Sequence, residues 1–273
     1  MKPSLLWLGL CALSLGSPAP DTQAPDSQVA AATAKILTFD CSDGQVGDTC
    51  LNMCYGAKCK KLGTTLTWDH PSKSTEGKRS RLAGCGSGNR CSKAPYGKGY
   101  QCDEFPFKSV RQADKGGQVN RCVKSHYNSR QGHVLQNFYY SHGEFKNKGC
   151  KGRAPCQFRI GFKRFSKYKY CKKKPDCKND GNEYTKKGPA KREEEVDTGG
   201  YYRLASGDVI FVPDGAQVGD LVYQATFSNA TIGVADIDGV EGQGDEDEGD
   251  ENYGDDPFEV QEDQIVEEVA DYE

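Results

Sequence analysis

The stretch QCDEFPF, residues 101–107, places two adjacent acids between a cysteine and an aromatic-proline-aromatic unit. Together with the preceding GKGY it predicts a β-strand that ends at the acids, because Pro106 cannot continue a regular strand. Acids of this kind usually lie on solvent-exposed turns. Here Cys102 and the flanking aromatic residues are expected to hold Asp103 and Glu104 in one place, which favours a chemical role for the pair.

Secondary-structure signals surround this stretch on both sides. Strands are predicted for TTLTWD (64–69) and for 119–123, with a turn at Gly116-Gly117 between the acids and the second strand. CLNMCYGAKC (50–59) is typical of a short helix, and QGHVLQNFYYSH (131–142) has apolar residues at helical spacing. Further on, 201–215 and 218–229 predict two strands joined by a Pro-Asp-Gly turn.

The N-terminus and the cysteines both indicate export. Residues 1–19 have a lysine, a short apolar run and then small residues, the layout of a secretory signal peptide rather than a membrane-spanning helix. One of the 13 cysteines lies in that segment, and the other 12 fall between Cys41 and Cys177. An even number in an exported chain predicts disulfides, whose pairing the sequence leaves open. A zinc site at Cys50, Cys54 and Cys59 is the alternative.

Composition divides the chain into four parts. After the signal peptide, 20–40 is predicted to be a flexible leader or propeptide, 41–235 a disulfide-rich domain, and 236–273 an acidic, disordered tail. The sequon at Asn229 predicts glycosylation in an exported protein. No second apolar run reaches membrane length, so no membrane partner is expected, and we expect a monomer.

Charge is distributed very unevenly along the chain. The tail 236–273 has 18 acids and no Lys or Arg, so the rest, with 36 basic and 21 acidic residues, carries +15. The tail either keeps the chain soluble or folds back on the basic body as a mimic of a polyanion. The second hypothesis predicts that deletion of 236–273 strengthens DNA binding at low salt.

The basic body is concentrated in residues 146–192, which hold 17 Lys or Arg against three acids. Aromatic residues alternate with these charges, as they do in surfaces that hold phosphates and stack on bases. The alternation at Phe158, Ile160 and Phe162 equally predicts a strand with one buried face. The segment is therefore either a polyanion-binding surface or a core strand with a solvated face.

The acids suit phosphodiester hydrolysis. That reaction requires a base that activates water, a cation that stabilises negative charge, and basic groups that hold the polyanion. Asp103 is the candidate base and Glu104 a supporting acid. The amide oxygen of Asn128 is a suitable ligand for a hard divalent ion, and Gln131 or Gln136 completes the polar shell.

Three motifs in order carry a resemblance to a known family. CDEFPF at 102–107, Gly116-Gly117, and N-x-x-Q-G at Asn128, Gln131 and Gly132 resemble the secreted deoxyribonucleases of the NucA/NucB type. The resemblance covers roughly 98–140. It implies an α+β fold with a ββα-metal nuclease core, a Mg²⁺ or Mn²⁺ cofactor, Asp103 as general base and Asn128 as metal ligand. The segment 146–192 looks like an insertion relative to the small members of the family.

Several basic residues are candidates for contact with DNA. Arg121 and Arg130 lie near the acids in sequence, and the basic segment supplies four more candidates: Lys163, Arg164, Lys167 and Lys169. The histidines at 126, 133 and 142 are expected at the surface, and His126 is the alternative base.

These features lead to a secreted, metal-dependent endodeoxyribonuclease with little sequence preference as the first hypothesis. Phosphate contacts without contacts to base edges would give affinity without sequence readout. A non-catalytic, disulfide-rich polyanion-binding protein or toxin is the alternative, and a ribonuclease is the third possibility.

Overall fold

The structure is a computed structural model that describes residues 34–193, 199–228, 256–270 and 272. The predicted signal peptide and the sequon at Asn229 lie outside the described residues. Helices are α1 (Thr49–Cys54), which runs on into a π-helical turn (Tyr55–Cys59), α2 (Lys73–Ala83) and α3 (Ser125–Tyr140). Short 3-10 turns are Arg90–Ser92, Arg111–Lys115 and Gly143–Phe145.

The strands come in two groups along the chain. The first five are β1 (Lys35–Asp40), β2 (Thr65–Trp68), β3 (Tyr100–Phe105), β4 (Val119–Lys124) and β5 (Cys156–Lys163). The others are β6 (Tyr184–Thr185), β7 (Gly188–Pro189), β8 (Gly200–Leu204), β9 (Val209–Val212), β10 (Leu221–Phe227) and β11 (Phe258–Val269).

Most strands of the described residues form one closed sheet. Its order is β1-β10-β11-β8-β9-β5, and a parallel pairing of β5 with β1 closes the ring, while β2 pairs with the first half of β5. Apolar side chains from β1, β8, β9, β10 and β11 form one cluster, which fills the ring. The second, larger cluster joins the outer face of the ring to the helices.

The acids lie on a separate sheet, of order β3-β4-β6-β7 in the described residues. β3 and β4 form an antiparallel hairpin, and α3 begins at the residue after β4. The α1 segment packs against the hairpin so closely that a Cβ at Gly56 would lie 2.4 Å from the ring of Phe105. Glycine is therefore required at this contact.

Six disulfides use all twelve cysteines of the predicted framework: Cys41–Cys50, Cys54–Cys171, Cys59–Cys177, Cys85–Cys102, Cys91–Cys122 and Cys150–Cys156. Cys102 and Cys122 are opposite each other in the hairpin, so both of its strands are cross-linked to the segment that precedes them. Cys50, Cys54 and Cys59 belong to three different disulfides, and the zinc alternative is therefore wrong.

Two predictions about the ends of the chain are wrong. The segment 20–40 was expected to be flexible throughout, but Lys35–Asp40 is a strand of the closed sheet with Ile36, Leu37 and Phe39 fully or almost fully buried. The tail 236–273 was expected to be disordered, but Phe258–Val269 is a strand between β10 and β8. Composition failed here because the acids of β11 mostly occupy exposed positions, while Phe258 and Ile265 are buried.

The basic segment is also more than an insertion. β5 lies between β1 on one edge and β2 and β9 on the other, and Cys171 and Cys177 join the segment to the α1 region. The expected strand at 158–162 is confirmed. Its aromatic neighbours Phe165, Tyr168 and Tyr170 are buried, so the core interpretation holds for the rings.

Smaller differences concern element bounds. The segment 201–215 was predicted to be one strand, but it contains most of β8 and all of β9. The two strands are separated by a turn at Ser206-Gly207, where Gly207 has φ 93°. The expected α+β class is confirmed as a mixed fold with few helices and several disulfides. The predicted ββα core is not the main core, since the closed sheet holds most of the strands. Among the described residues, no helix has the length and apolarity needed to cross a bilayer.

Candidate active site

Asp103 is a buried carboxylate near the end of β3. It is 2 % exposed and lies opposite Arg121 in the hairpin. Asn52 of α1 donates hydrogen bonds from Nδ2 to both the Asp103 carbonyl oxygen, at 2.9 Å, and its Oδ2, at 3.0 Å. One side chain of α1 thereby fixes both the backbone and the carboxylate.

Burial raises the pKa of the Asp103 carboxyl well above the ordinary value of 3.8. The hydrogen bond from Asn52 opposes this shift, while the negative charges of Glu104 and Glu183 add to it. A carboxylate in such surroundings binds a proton more strongly than an exposed one, as a general base must.

Asp103 and Glu104 both line one cavity of about 960 Å³. Successive residues of a strand point to opposite faces, so one cavity reaches both only where it passes the edge of the sheet. β3 is the edge strand of its sheet, which meets this condition. Glu104 is 9 % exposed and lies opposite Asn120 in the hairpin.

One face of α3 forms another wall of the same cavity. Asn128, Gln131, Gly132, Gln136 and Tyr139 all line it, at the spacing of a single helix face. The amide nitrogen of Asn128 donates to Gln101 Oε1 at 2.8 Å, which leaves the Asn128 amide oxygen as the acceptor end of that group. The Gln131 side chain is 3 % exposed, and its Nε2 is buried with no hydrogen-bond partner.

These side chains are the donor set available to the predicted metal ion. The described residues contain no cluster of three His, Cys, Asp or Glu side chains that could hold a metal ion. Two carboxylates and two amides nevertheless line the same cavity, and Mg²⁺ is commonly held by one or two carboxylates together with water and substrate phosphates. The residues present fit a hydrated, oxygen-bound ion and do not fit an ion enclosed by protein ligands.

The basic residues expected to contact DNA do not come together at the cavity. All six form ion pairs with acids, in these combinations: Arg121 with Asp180 and Glu183, Arg130 with Asp256, Lys163 with Asp208, Arg164 with Asp40, Lys167 with Asp43, and Lys169 with Asp176. Arg121 and Arg130 are 7 % and 6 % exposed, so their role as DNA contacts is corrected to a structural one.

Glu183 is fully buried behind the hairpin and adds a second perturbed carboxyl. It accepts a hydrogen bond from Arg121 Nη1 at 2.8 Å, and burial raises its pKa to about 7. Its Oε2 is buried without a partner. No local pattern in the sequence predicts this group, because the two-residue strand that follows it pairs with β4 from about sixty residues away.

The histidines take different positions. His126 does not line the cavity, which argues against it as the alternative base, and burial together with the charge of Arg130 lowers its pKa. His133 packs edge-on against the ring of Phe258, at 5.1 Å between ring centroids. His142 and His70 do line the cavity.

Comparison with known proteins supports the motif-based resemblance. The family model described as Deoxyribonuclease NucA/NucB matches residues 53–151. This segment is similar to NucA/NucB deoxyribonucleases. The match contains β3, β4, α3 and all four candidate catalytic and metal-binding residues, and it ends before β5. No curated protein and no solved structure matches the chain.

Sequence reasoning missed residues that support Asp103 or line the cavity. Asn52 is one, although a polar residue between Cys50 and Cys54 in a short helix is a recognisable signal for a buried hydrogen bond. The aromatic residues Trp68, Tyr139 and Tyr140 are others. They come from β2 and the end of α3, which are about seventy residues apart, so no local pattern connects them.

Proposed function

We propose that this protein is a secreted, divalent-metal-dependent endodeoxyribonuclease that cleaves DNA with little sequence preference. The observation that carries the proposal is the convergence of Asp103, Glu104, Asn128 and Gln131 on one cavity, within the segment similar to NucA/NucB deoxyribonucleases. The succession β3–β4–α3 supports a ββα-metal core, because the base lies on the first strand and the amide ligand on the helix.

Asp103 acts as the general base. Its carboxylate accepts a proton from a water molecule, whose oxygen forms a bond to phosphorus as the phosphorus–oxygen ester bond breaks and the leaving oxygen takes up a proton. Asn52 keeps the carboxylate oriented during this transfer. General base catalysis of this kind contributes roughly 10²–10⁴-fold to a rate.

Asn128, Gln131 and Glu104 would hold the metal together with water. The ion would supply positive charge against the charge that develops on the phosphate. Gln101 orients the Asn128 amide so that its oxygen is available. Mg²⁺ and Mn²⁺ both suit oxygen ligands.

Export is supported by the six disulfides, which form in oxidising compartments. The predicted signal peptide at 1–19 is part of the proposal.

The purified chain tests the proposal directly. It is incubated with supercoiled plasmid and, in parallel, with a structured RNA, with Mg²⁺ or Mn²⁺ and with a chelator. The proposal predicts nicking and linearisation of the plasmid only when the ion is present. Cleavage of RNA alone would establish a ribonuclease, and binding of both polymers without cleavage would establish a polyanion-binding protein.

A further inference from the structure

We propose that the cavity also contains a stacking subsite for an unpaired nucleobase of DNA. The subsite is a cluster of five rings, here called the aromatic shelf: Trp68, His70, Tyr139, Tyr140 and His142. The inference rests on the proposed function, because it names the form of DNA that the site prefers.

Short distances join the rings of the aromatic shelf. Trp68 stacks on Tyr139, with ring centroids 5.0 Å apart and an interplanar angle of 4°. His70 stacks on Trp68 at 5.2 Å. Tyr140 contacts Trp68 edge-on at 5.1 Å, and His142 lies nearly parallel to Tyr140 at 5.7 Å. The contacts form one continuous aromatic surface.

Two rings of the aromatic shelf are buried and the other three are accessible. Trp68 and Tyr139 are 1 % and 3 % exposed, and the Tyr139 hydroxyl is hydrogen-bonded to Ser109 at 3.0 Å. His70 and His142 are exposed, and Tyr140 is half-buried. Three rings are thus presented to the cavity by a rigid support, which lowers the entropic cost of stacking a ligand on them.

His70 adopts an unusual backbone conformation. Its φ is +53°, in the left-handed region that non-glycine residues occupy uncommonly. This conformation coincides with stacking of the His70 ring on Trp68. Strained backbone of this kind concentrates at sites that bind ligands, and here it accompanies a ring at the cavity wall.

The position of the aromatic shelf suits a base near the cleaved phosphate. Asn128 and Tyr139 lie on the same face of α3, 11 residues apart, which corresponds to roughly 16 Å along a helix. A DNA strand with one phosphate near Asn128 therefore reaches the aromatic shelf with a base a few nucleotides away. Lys73, whose side chain is 85 % exposed and lies 4.0 Å from the carboxylate of Glu76, also lines the cavity.

The chemistry of the rings selects unpaired bases without selecting a sequence. Every base has a π-face, so stacking on aromatic side chains tolerates any sequence. In a duplex those faces are covered by neighbouring base pairs. The aromatic shelf therefore favours single-stranded or locally melted DNA over intact duplex.

Binding can be measured separately from cleavage. The Asp103→Asn protein is titrated, in chelator, into a single-stranded oligonucleotide carrying 2-aminopurine, whose fluorescence falls when it stacks. Two substitutions are added to the Asp103→Asn protein, one at a time. His70→Asn removes the imidazole ring and introduces a residue that tolerates positive φ, and Tyr140→Leu removes the phenol ring. Tyr140→Phe is the matched control, because it keeps the ring and loses only the hydroxyl.

We expect quenching with the Asp103→Asn protein, and about tenfold weaker binding for both His70→Asn and Tyr140→Leu. Tyr140→Phe should bind as the Asp103→Asn protein does. An oligonucleotide with abasic sites should bind more weakly, and the two variants should weaken its binding no further. Thermal melts of all variants identify any loss of folding.

The proposal is overturned if the His70→Asn and Tyr140→Leu variants are folded and bind both the normal and the abasic strand as tightly as the Asp103→Asn protein does. It is also overturned if intact duplex quenches as strongly as the single strand. If the wild-type chain cleaves no DNA but the quenching and its loss are observed, the proposed function fails and the aromatic shelf stands.

Discussion

At the scale of single residues, the surroundings of Asp103 bear on its proposed role as the general base. The sequence places this carboxyl beside a cysteine and aromatic residues, and the structure buries it with one hydrogen-bond donor, Asn52. Burial raises its pKa and the donor lowers it, so the working pKa is a balance of the two. Both predictions at this scale follow from that balance.

The pH dependence of cleavage should follow Asp103. A general base works when deprotonated, so kcat/KM should rise with pH along a limb that lies well above the usual range of an aspartate, in the direction of the raised pKa. Asn52→Ala removes the hydrogen bond that lowers the pKa, and should move this limb to higher pH. A pH–rate profile of both proteins at saturating metal checks this, and a limb that stays in place in Asn52→Ala would contradict the assignment.

The same pKa shift predicts that the ionised form of Asp103, which the proposed reaction needs, lowers the stability of the folded protein at neutral pH. Because the folded-state pKa of Asp103 is raised, its contribution to stability is fully present below the unfolded pKa near 3.8 and is lost as pH rises through the folded pKa. Asp103→Asn should therefore have a higher Tm than wild type at neutral pH. The difference should disappear near pH 3. Melting curves of both proteins across this pH range measure the difference in Tm. A lower Tm for Asp103→Asn than for wild type at neutral pH would contradict the claim that the buried Asp103 charge destabilises the fold.

At the scale of elements, β11 is the main departure from expectation. An acidic tail proved to contain a strand paired on both edges, with Ile265 1 % exposed inside the ring and its neighbour Val266 45 % exposed. The two adjacent residues form a matched pair for testing whether this strand is part of the folded core.

Ile265→Ala should destabilise the protein by about 2–5 kcal/mol, the usual cost of removing a large buried aliphatic side chain. Val266→Ala should change the free energy of unfolding by no more than about 0.5 kcal/mol, because its side chain is exposed. Denaturant unfolding of both variants measures these two changes in the free energy of unfolding. Equal and negligible effects would mean that β11 is not folded.

The sequence predicts an element well when its contacts are close along the chain, and poorly when they are distant. β3, β4 and α3 follow one another, and periodicity and motifs predicted these elements, with Asp103 on a strand and Asn128 near the start of a helix. β1 and β11 become strands through pairing with β10. Lys35 pairs with Leu221, 186 residues away, and Phe258 pairs with Phe227, 31 residues away. The charge of β11 concealed its buried positions. The aromatic shelf likewise depends on a contact between β2 and the end of α3.

At the scale of the whole molecule, the uneven charge needs a new interpretation. The six predicted DNA contacts are paired with acids, so the net charge of +15 outside 236–273 has to lie on other Lys and Arg residues. Deletion of 236–273 no longer tests whether the acidic segment inhibits binding, because it removes β11 from the closed sheet.

Neutralising acids outside β11 is the better test. Replacing the six acids of 245–251 by Asn or Gln leaves the strand intact. If this segment competes with DNA for the basic residues, the variant should bind DNA more tightly at low salt, and the difference should shrink as salt screens the charges. Affinity measured over a salt series checks this, and identical affinities at low salt would remove the inhibitory role.

The most direct test of the central claim compares two aspartate variants in the plasmid assay. Asp103→Asn keeps the shape of the buried side chain and removes the base, while Asp176→Asn changes an exposed aspartate away from the cavity. With metal present, the account predicts that Asp103→Asn cleaves about 10²–10⁴-fold more slowly than wild type, with DNA binding retained, and that Asp176→Asn cleaves normally. Cleavage by folded Asp103→Asn at the wild-type rate would contradict it.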